Sequence, residues 1–185
     1  MSNVVDFRDV ALIQLRDRVA ALDEANADLL AYARGHSGAV AQIHAAALAA
    51  MDAESLEHLI HIVCEVWADM LGLDAVTLAL VAGDMAVTAQ AAGIQTVDAQ
   101  ALSPVFAEPR LVLRGVAKGN VVFGPASSLI RSEALVRLSL PEPLPKGVLA
   151  LGSRVPHAFE SAHGGELLIF LGAVVSRMIG RWLTA

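Results

Sequence analysis

The chain has 185 residues, of which 56% are hydrophobic, 17% are charged and 4% are aromatic, and its formal net charge is −6. This composition excludes an intrinsically disordered protein, which needs low hydrophobicity and high charge, and the acidic balance argues against nucleic-acid binding, which relies on clustered Lys and Arg. The longest apolar stretch, Leu167 to Leu183, is interrupted by two arginines, whereas a membrane-spanning helix needs about 20 mostly apolar residues. We therefore expect neither nucleic acid nor a membrane as a partner.

Two further features concern the cell compartment and the assembly. The sequence contains one cysteine, Cys64, which cannot form an internal disulfide, and its first residues lack the basic-then-apolar pattern of a secretory signal. Both favour a cytoplasmic location. Because the chain is more apolar than a typical monomer, we expect a second subunit to cover part of its surface.

The first predicted element is an N-terminal helix with a heptad pattern within residues 1–37. Its seam positions recur at alternating steps of three and four residues, as in a coiled coil: Leu12, Leu15, Val19, Leu22, Asn26, Leu29 and Ala33. An amide at a seam position, here Asn26, typically favours two strands in register. The pattern predicts a coiled-coil-like dimerisation segment, with packing of this helix on its own domain as the alternative. Glycines at 35 and 38 interrupt the pattern, so a second domain is expected over residues 38–185.

Helices and strands follow in blocks along the rest of the chain. Long helices are expected at about 40–51, at 52–71 with Asp52 as its N-cap, and at 163–183, and a short one begins near Ser103. Short apolar runs between turn residues predict strands at 76–81, 85–89, 111–113, 121–123, 134–140 and 148–151. This order predicts an α+β fold, with an antiparallel sheet and the helices on one of its faces.

Few side chains could bind a metal or act as a nucleophile. His58, His61 and Glu65 share one face of the helix at 52–71, but this face lies opposite the apolar stripe, and a solvated surface explains them. Cys64 lies at the edge of that stripe beside an acidic residue, which favours a structural thiol over a nucleophile. We therefore expect no metal and no catalytic residue.

The segment from 110 to 132 carries four cations and no acid. It contains the glycine spacing of a phosphate-binding P-loop at 119–124, but Pro125 and Ala126 occupy the positions of the required Lys and Ser or Thr. Cations and hydroxyl groups over an apolar sheet suit a small anionic ligand, and the candidate residues are Arg110, Arg114, Phe123, Arg131 and Ser132. The alternative is a basic loop that is merely solvated, or that docks on the acidic N-terminal helices.

The order of several motifs resembles a bacterial protein family. Residues 132–138 (SEALVRL), the strand end at Gly147–Arg154 (GVLALGSR), Phe159 and the closing helix resemble domain of unknown function 484, whose members look like GAF domains preceded by helices. The resemblance implies a GAF-like antiparallel sheet over 38–185 and assigns no activity. Bilin-attaching GAF domains need a cysteine near the pocket, and GAF-type methionine sulfoxide reductases need several, so one thiol argues against a covalent chromophore and against thiol redox catalysis.

These observations lead to two main functional hypotheses and place an enzyme third, because no nucleophile in the sequence is paired with a base. The first is a non-enzymatic GAF-like regulatory module, dimeric through its N- and C-terminal helices, which binds a small anionic ligand in the sheet pocket and signals to an unidentified protein partner. The alternative is a ligand-free interaction or scaffold protein whose pocket is filled by its own side chains.

Overall fold

The computed structural model describes residues 16, 18–19, 21–24, 37–142, 144, 146–159 and 164–183. The chain divides into two compact units, Met1–Ala41 and Gln42–Ala185. Most of the predicted heptad segment lies outside the described residues. Of its seam, Val19 and Leu22 are described, and both are helical and exposed, at 52% and 65%.

The first helices follow the predicted positions, with one correction at a helix start. Helix α1 covers residues 37–51, and α2 (Leu56–His61) continues through a π-helical turn into α3 (Trp67–Leu71). The prediction of Asp52 as N-cap is wrong, because its amide donates to the Leu48 carbonyl at the end of α1. Ser55 caps α2 instead, and its hydroxyl accepts from the His58 amide at 3.0 Å. Gly72 ends α3 with a φ of 64°, which glycine adopts without strain.

Six antiparallel strands form one sheet in the order β3-β2-β1-β6-β5-β4. Their bounds are β1 Ala75–Ala82, β2 Met85–Gln90, β3 Gly93–Asp98, β4 Leu111–Gly115, β5 Ser132–Ser139 and β6 Lys146–Ser153. The prediction of an α+β fold with an antiparallel sheet is confirmed. Strand β3 was not predicted, and the strand predicted at 121–123 is wrong, because Val121–Ser128 is a 3-10 segment.

One face of the sheet, the long-helix face, packs against α1, α2, α3 and α5 (Gly165–Leu183). Trp67 is fully buried there, and its indole N–H donates to the Ala46 carbonyl at 2.9 Å. Gly172 lets α5 approach β5 closely, since a Cβ there would lie 2.6 Å from Val136. In the part of the chain that the structure describes, no helix is both long and apolar enough to cross a membrane.

The opposite face, the short-helix face, is also covered. Its cover consists of a 3-10 turn at Ala99–Leu102, helix α4 (Ser103–Ala107) and the 3-10 segment Val121–Ser128. These elements bury the alternate strand residues, including Ala79, Val148 and Ala150. The space between this cover and the sheet is where the predicted sheet pocket would lie.

Candidate functional site

The space beneath the short-helix cover is occupied by side chains of the protein itself. Phe123 and Val122 have no exposed surface, and Leu102 and Ile130 are 1% exposed. They pack on the strand residues of the short-helix face as one apolar cluster. Phe123, a candidate ligand-binding residue, is therefore part of the core.

Two glycines show how closely this cluster is packed. A Cβ added at Gly119 would lie 2.6 Å from the Cβ of Ile130. A Cβ added at Gly152 would lie 2.7 Å from Cδ1 of Ile130 and 3.0 Å from Cε1 of Phe123. Real Cβ atoms essentially never come this close to a neighbour, so the cluster leaves no space for even a methyl group at these two points.

Arg114 belongs to an ion-pair network. Its guanidinium contacts the Glu133 carboxylate at 2.7 Å and the Glu108 carboxylate at 2.9 Å. The Glu133 side chain is 1% exposed and also accepts from the Asn120 amide at 2.7 Å. Burial alone would lower the pKa of Arg114, but hydrogen bonds to Glu133 and Glu108 and their negative charge raise it. Arg114 thus anchors β4 and the start of the following loop. Two carboxylates already neutralise its positive charge.

Arg131 and Ser132 are engaged by backbone carbonyls. The Arg131 guanidinium donates to the carbonyls of Ser128 at 2.8 Å and of Ile130 at 2.9 Å. The Ser132 side chain is buried, and its hydroxyl donates to the Val155 carbonyl at 2.6 Å. Arg131 thus holds the loop between the 3-10 segment and β5, and Ser132 links the start of β5 to the turn that follows β6.

Arg110 lies in a different place from the other four candidates, in a surface depression that we call the cationic cleft. It consists of two cavities, of about 420 and 500 Å³, which share Arg110, Arg137 and Ser139. The first also contacts Lys146, and the second contacts Arg177 of α5. No carboxylate is among the described residues that line either cavity.

Sequence reasoning found only Arg110 of these four cations, because the others are distant along the chain. Arg137 lies opposite it on β5, where the Arg137 amide donates to the Arg110 carbonyl at 2.9 Å. Lys146 begins β6, opposite Ser139. The only signal in the sequence is that Arg137 lies within one predicted strand and Lys146 lies shortly before the next one.

The histidines of α2 lie on the solvent side, as expected. His61 Nδ1 is 3.1 Å from Glu65 Oε1, and both side chains are about half exposed, at 54% and 48%. Among the described residues, no group of three or more His, Cys, Asp or Glu side chains could hold a metal ion.

Cys64 is a core residue on the π-helical turn. Its side chain is 2% exposed, and its thiol donates to the Ala89 carbonyl at 3.2 Å. Burial raises the pKa of this thiol to about 12, and the neighbouring Glu65 charge adds to the effect. Since the thiolate is the reactive species, this environment makes Cys64 a poor nucleophile.

We therefore expect Cys64 to resist alkylation in the folded protein. With iodoacetamide between pH 7 and 9, the native chain should remain unlabelled over hours, because these values lie well below the raised pKa. The same chain in denaturant should gain one adduct, as measured by intact mass. Fast labelling of the native chain at pH 7 would contradict the buried, protonated thiol.

The comparisons with known proteins agree with this architecture. The family model described as "Protein of unknown function, DUF484" matches residues 1–184, and no curated protein matches the sequence. The A. aeolicus nlh2 GAF domain, in an inactive state, is 11% identical with a TM-score of 0.60, covering 78% of this chain and 96% of that chain. The GAF domain of an Acinetobacter phosphoenolpyruvate-protein phosphotransferase is 14% identical with a TM-score of 0.59, covering 79% and 95%.

An enzyme is also among the similar structures. Free methionine-R-sulfoxide reductase from Neisseria meningitidis, solved with its substrate, is 20% identical with a TM-score of 0.55, and 77% of this chain and 88% of that chain are covered. At these identities the likeness concerns the fold. The predicted GAF-like architecture is confirmed.

Proposed function

The chain belongs to the DUF484 family, and from this premise we propose that it is a non-enzymatic, dimeric, GAF-like regulatory module that acts through contacts with other protein chains. The family description names no activity, so the proposal is built on the geometry of the fold. A cytoplasmic location is part of the proposal and fits the single cysteine.

The observation that carries the proposal is the packed short-helix face. A sensor that holds its ligand inside the fold needs a cavity between the sheet and its cover. Here Phe123 and Ile130 fill that space, and Gly119 and Gly152 are in contact with Ile130. This packing favours an interaction module over a sensor with an interior ligand.

The surroundings of Cys64 support the absence of enzymatic activity. A thiol-based reductase of this fold would need an accessible thiolate, and the one cysteine of this chain lies in the core with a raised pKa. The similarity to a sulfoxide reductase is therefore taken as a likeness of fold.

Exposed apolar side chains on helices support self-association. Val19 and Leu22 occupy successive seam positions of the predicted heptads and are more than half exposed. Leu48 and Met51 on α1 and Phe170 on α5 are also exposed, between 44% and 61%. Pairing of equivalent helices would cover these side chains.

A matched pair of substitutions tests the dimer. We expect light scattering to give twice the chain mass at micromolar concentration, and Leu22→Glu to weaken the dimer at least about tenfold, because each subunit then places a charge in the apolar seam. Ala21→Glu adds the same charge one residue away, at an exposed position off the seam, and should leave the dimer intact. A monomeric parent chain, or equal effects of both substitutions, would refute pairing along this seam.

A further inference from the structure

We propose that the cationic cleft binds a small molecule carrying a diphosphate group, free in solution, outside the packed interior. The cleft is formed by the β4 start, β5, the turn into β6 and α5, all within the unit Gln42–Ala185. The inference goes beyond the proposed function, because it requires neither the dimer nor a partner protein.

The first argument is the concentration of one charge sign. Arg110, Arg137, Lys146 and Arg177 line two cavities that share residues, whereas the chain as a whole has a net charge of −6. A concave surface with one sign of charge focuses the electric field and attracts counter-ions. The local excess of positive charge therefore runs against the overall balance of the protein.

The second argument is that these cations lack anionic partners in the part of the chain that the structure describes. Among the described residues, none of the four forms an ion pair, and Arg110 and Lys146 make no side-chain hydrogen bond. This contrasts with Arg114, whose guanidinium contacts two carboxylates. The cationic groups of the cleft are available to a ligand.

The third argument is that one guanidinium of the cleft is held in position. One Nη1 hydrogen of Arg137 is donated to the Phe106 carbonyl at 2.9 Å, which restrains the side chain and leaves most of its five N–H donors unused. A restrained guanidinium loses less freedom on binding an oxyanion and offers two parallel hydrogen bonds. Because Arg137 lies opposite Arg110, the two guanidinium groups are placed to bind phosphate oxygens together.

The shape of the cleft indicates linked phosphates with an organic group. The two cavities meet at Arg110, Arg137 and Ser139, so adjacent phosphates could contact one cavity each. The first cavity also has apolar walls, Phe106 and Leu140, where an organic group would pack. A single monovalent anion would use only part of this surface.

Isothermal titration of the full chain with inorganic pyrophosphate tests the inference. We expect saturable binding with one site per chain, tighter than inorganic phosphate and weakened by added salt. Arg110→Gln and Arg137→Gln should each reduce the affinity about tenfold or more, since each removes charge-assisted hydrogen bonds. Arg154→Gln removes the same charge outside the cleft, where an exposed arginine pairs with Asp74, and should change the affinity less than about twofold.

Three outcomes of the titration would overturn the inference. They are no saturable heat with pyrophosphate, equal loss of affinity in Arg154→Gln, and retention of binding in both cleft variants while their melting temperatures match the parent. Sedimentation with phosphatidylglycerol vesicles that depends on Arg110, without pyrophosphate binding, would assign the cleft to a lipid phosphate and also overturn it. A dimer without pyrophosphate binding refutes only this inference, whereas a monomer that binds pyrophosphate refutes only the proposed dimer.

Discussion

Replacing Phe123 with alanine is expected to lower the free energy of unfolding by roughly 3–5 kcal/mol, the usual cost of removing a fully buried aromatic side chain. Phe123 has no exposed surface and lies against Gly152 and Ile130. Its removal would leave a cavity between the sheet and the 3-10 segment that the closely packed neighbours cannot fill. Urea unfolding followed by circular dichroism measures the loss.

Val121→Ala provides the control, because Val121 is 51% exposed in the same 3-10 segment. It should cost less than about 1 kcal/mol, as surface substitutions usually do. Similar small losses for both variants would mean that Phe123 lines an open pocket in solution, which contradicts the packed short-helix face.

Replacing Arg114 with methionine should cost about 3 kcal/mol, the lower end of the range for breaking a buried ion pair. The Glu133 carboxylate is 1% exposed, and without Arg114 its remaining hydrogen-bond donor among the described residues is the backbone amide of Asn120. A buried charge without its counter-charge is strongly unfavourable. The lower end of the range for buried ion pairs applies because the Arg114 side chain is itself 38% exposed.

Two further variants separate burial from simple charge loss. Arg154→Met breaks the ion pair with Asp74 at a site where the arginine is 61% exposed, and it should cost at most about 1 kcal/mol. Adding Glu133→Gln to Arg114→Met should recover part of the stability, since no buried charge remains. Equal losses for Arg114→Met and Arg154→Met, or no recovery in the double variant, would show that the network does not stabilise the loop as described.

The strands that contain a continuous apolar run were predicted from the sequence, whereas the strand that lacks such a run was missed. Strand β3 at Gly93–Asp98 lies at the sheet edge and is mostly exposed, so half of its residues are polar. The turn before it consists of two alanines, at 91 and 92, which give no turn signal. The reverse error occurred at Val121–Ser128, where the apolar run suggested a strand but Gly124, with a φ of 52°, and Pro125 bend the chain.

The candidate site was harder to predict than the fold, because charge partners are not visible in a local window. Arg114 and Arg131 belong to the same basic segment as Arg110, yet Arg114 is engaged by a buried glutamate on the neighbouring strand and Arg131 by two carbonyls. The cleft around Arg110 depends on strand register and on α5, which bring together cations up to 67 positions apart along the chain, Arg110 and Arg177. Only the folded chain reveals which cations remain unpaired.

The choice between an interior ligand and a filled interior also required the structure. Phe123 is compatible with either, since an aromatic side chain can line a pocket or fill it. The positions of Gly119 and Gly152 favour a filled interior, because both accommodate Ile130 at distances that leave no room for a methyl group.

The most direct test is a crystal structure of the full chain, purified from its native cell without denaturation, inspected at the short-helix face. We predict continuous contact of Phe123 and Ile130 with Gly152, and no density other than protein between the sheet and the 3-10 segment. A bound molecule in that space, with Phe123 or Ile130 displaced, would contradict the account.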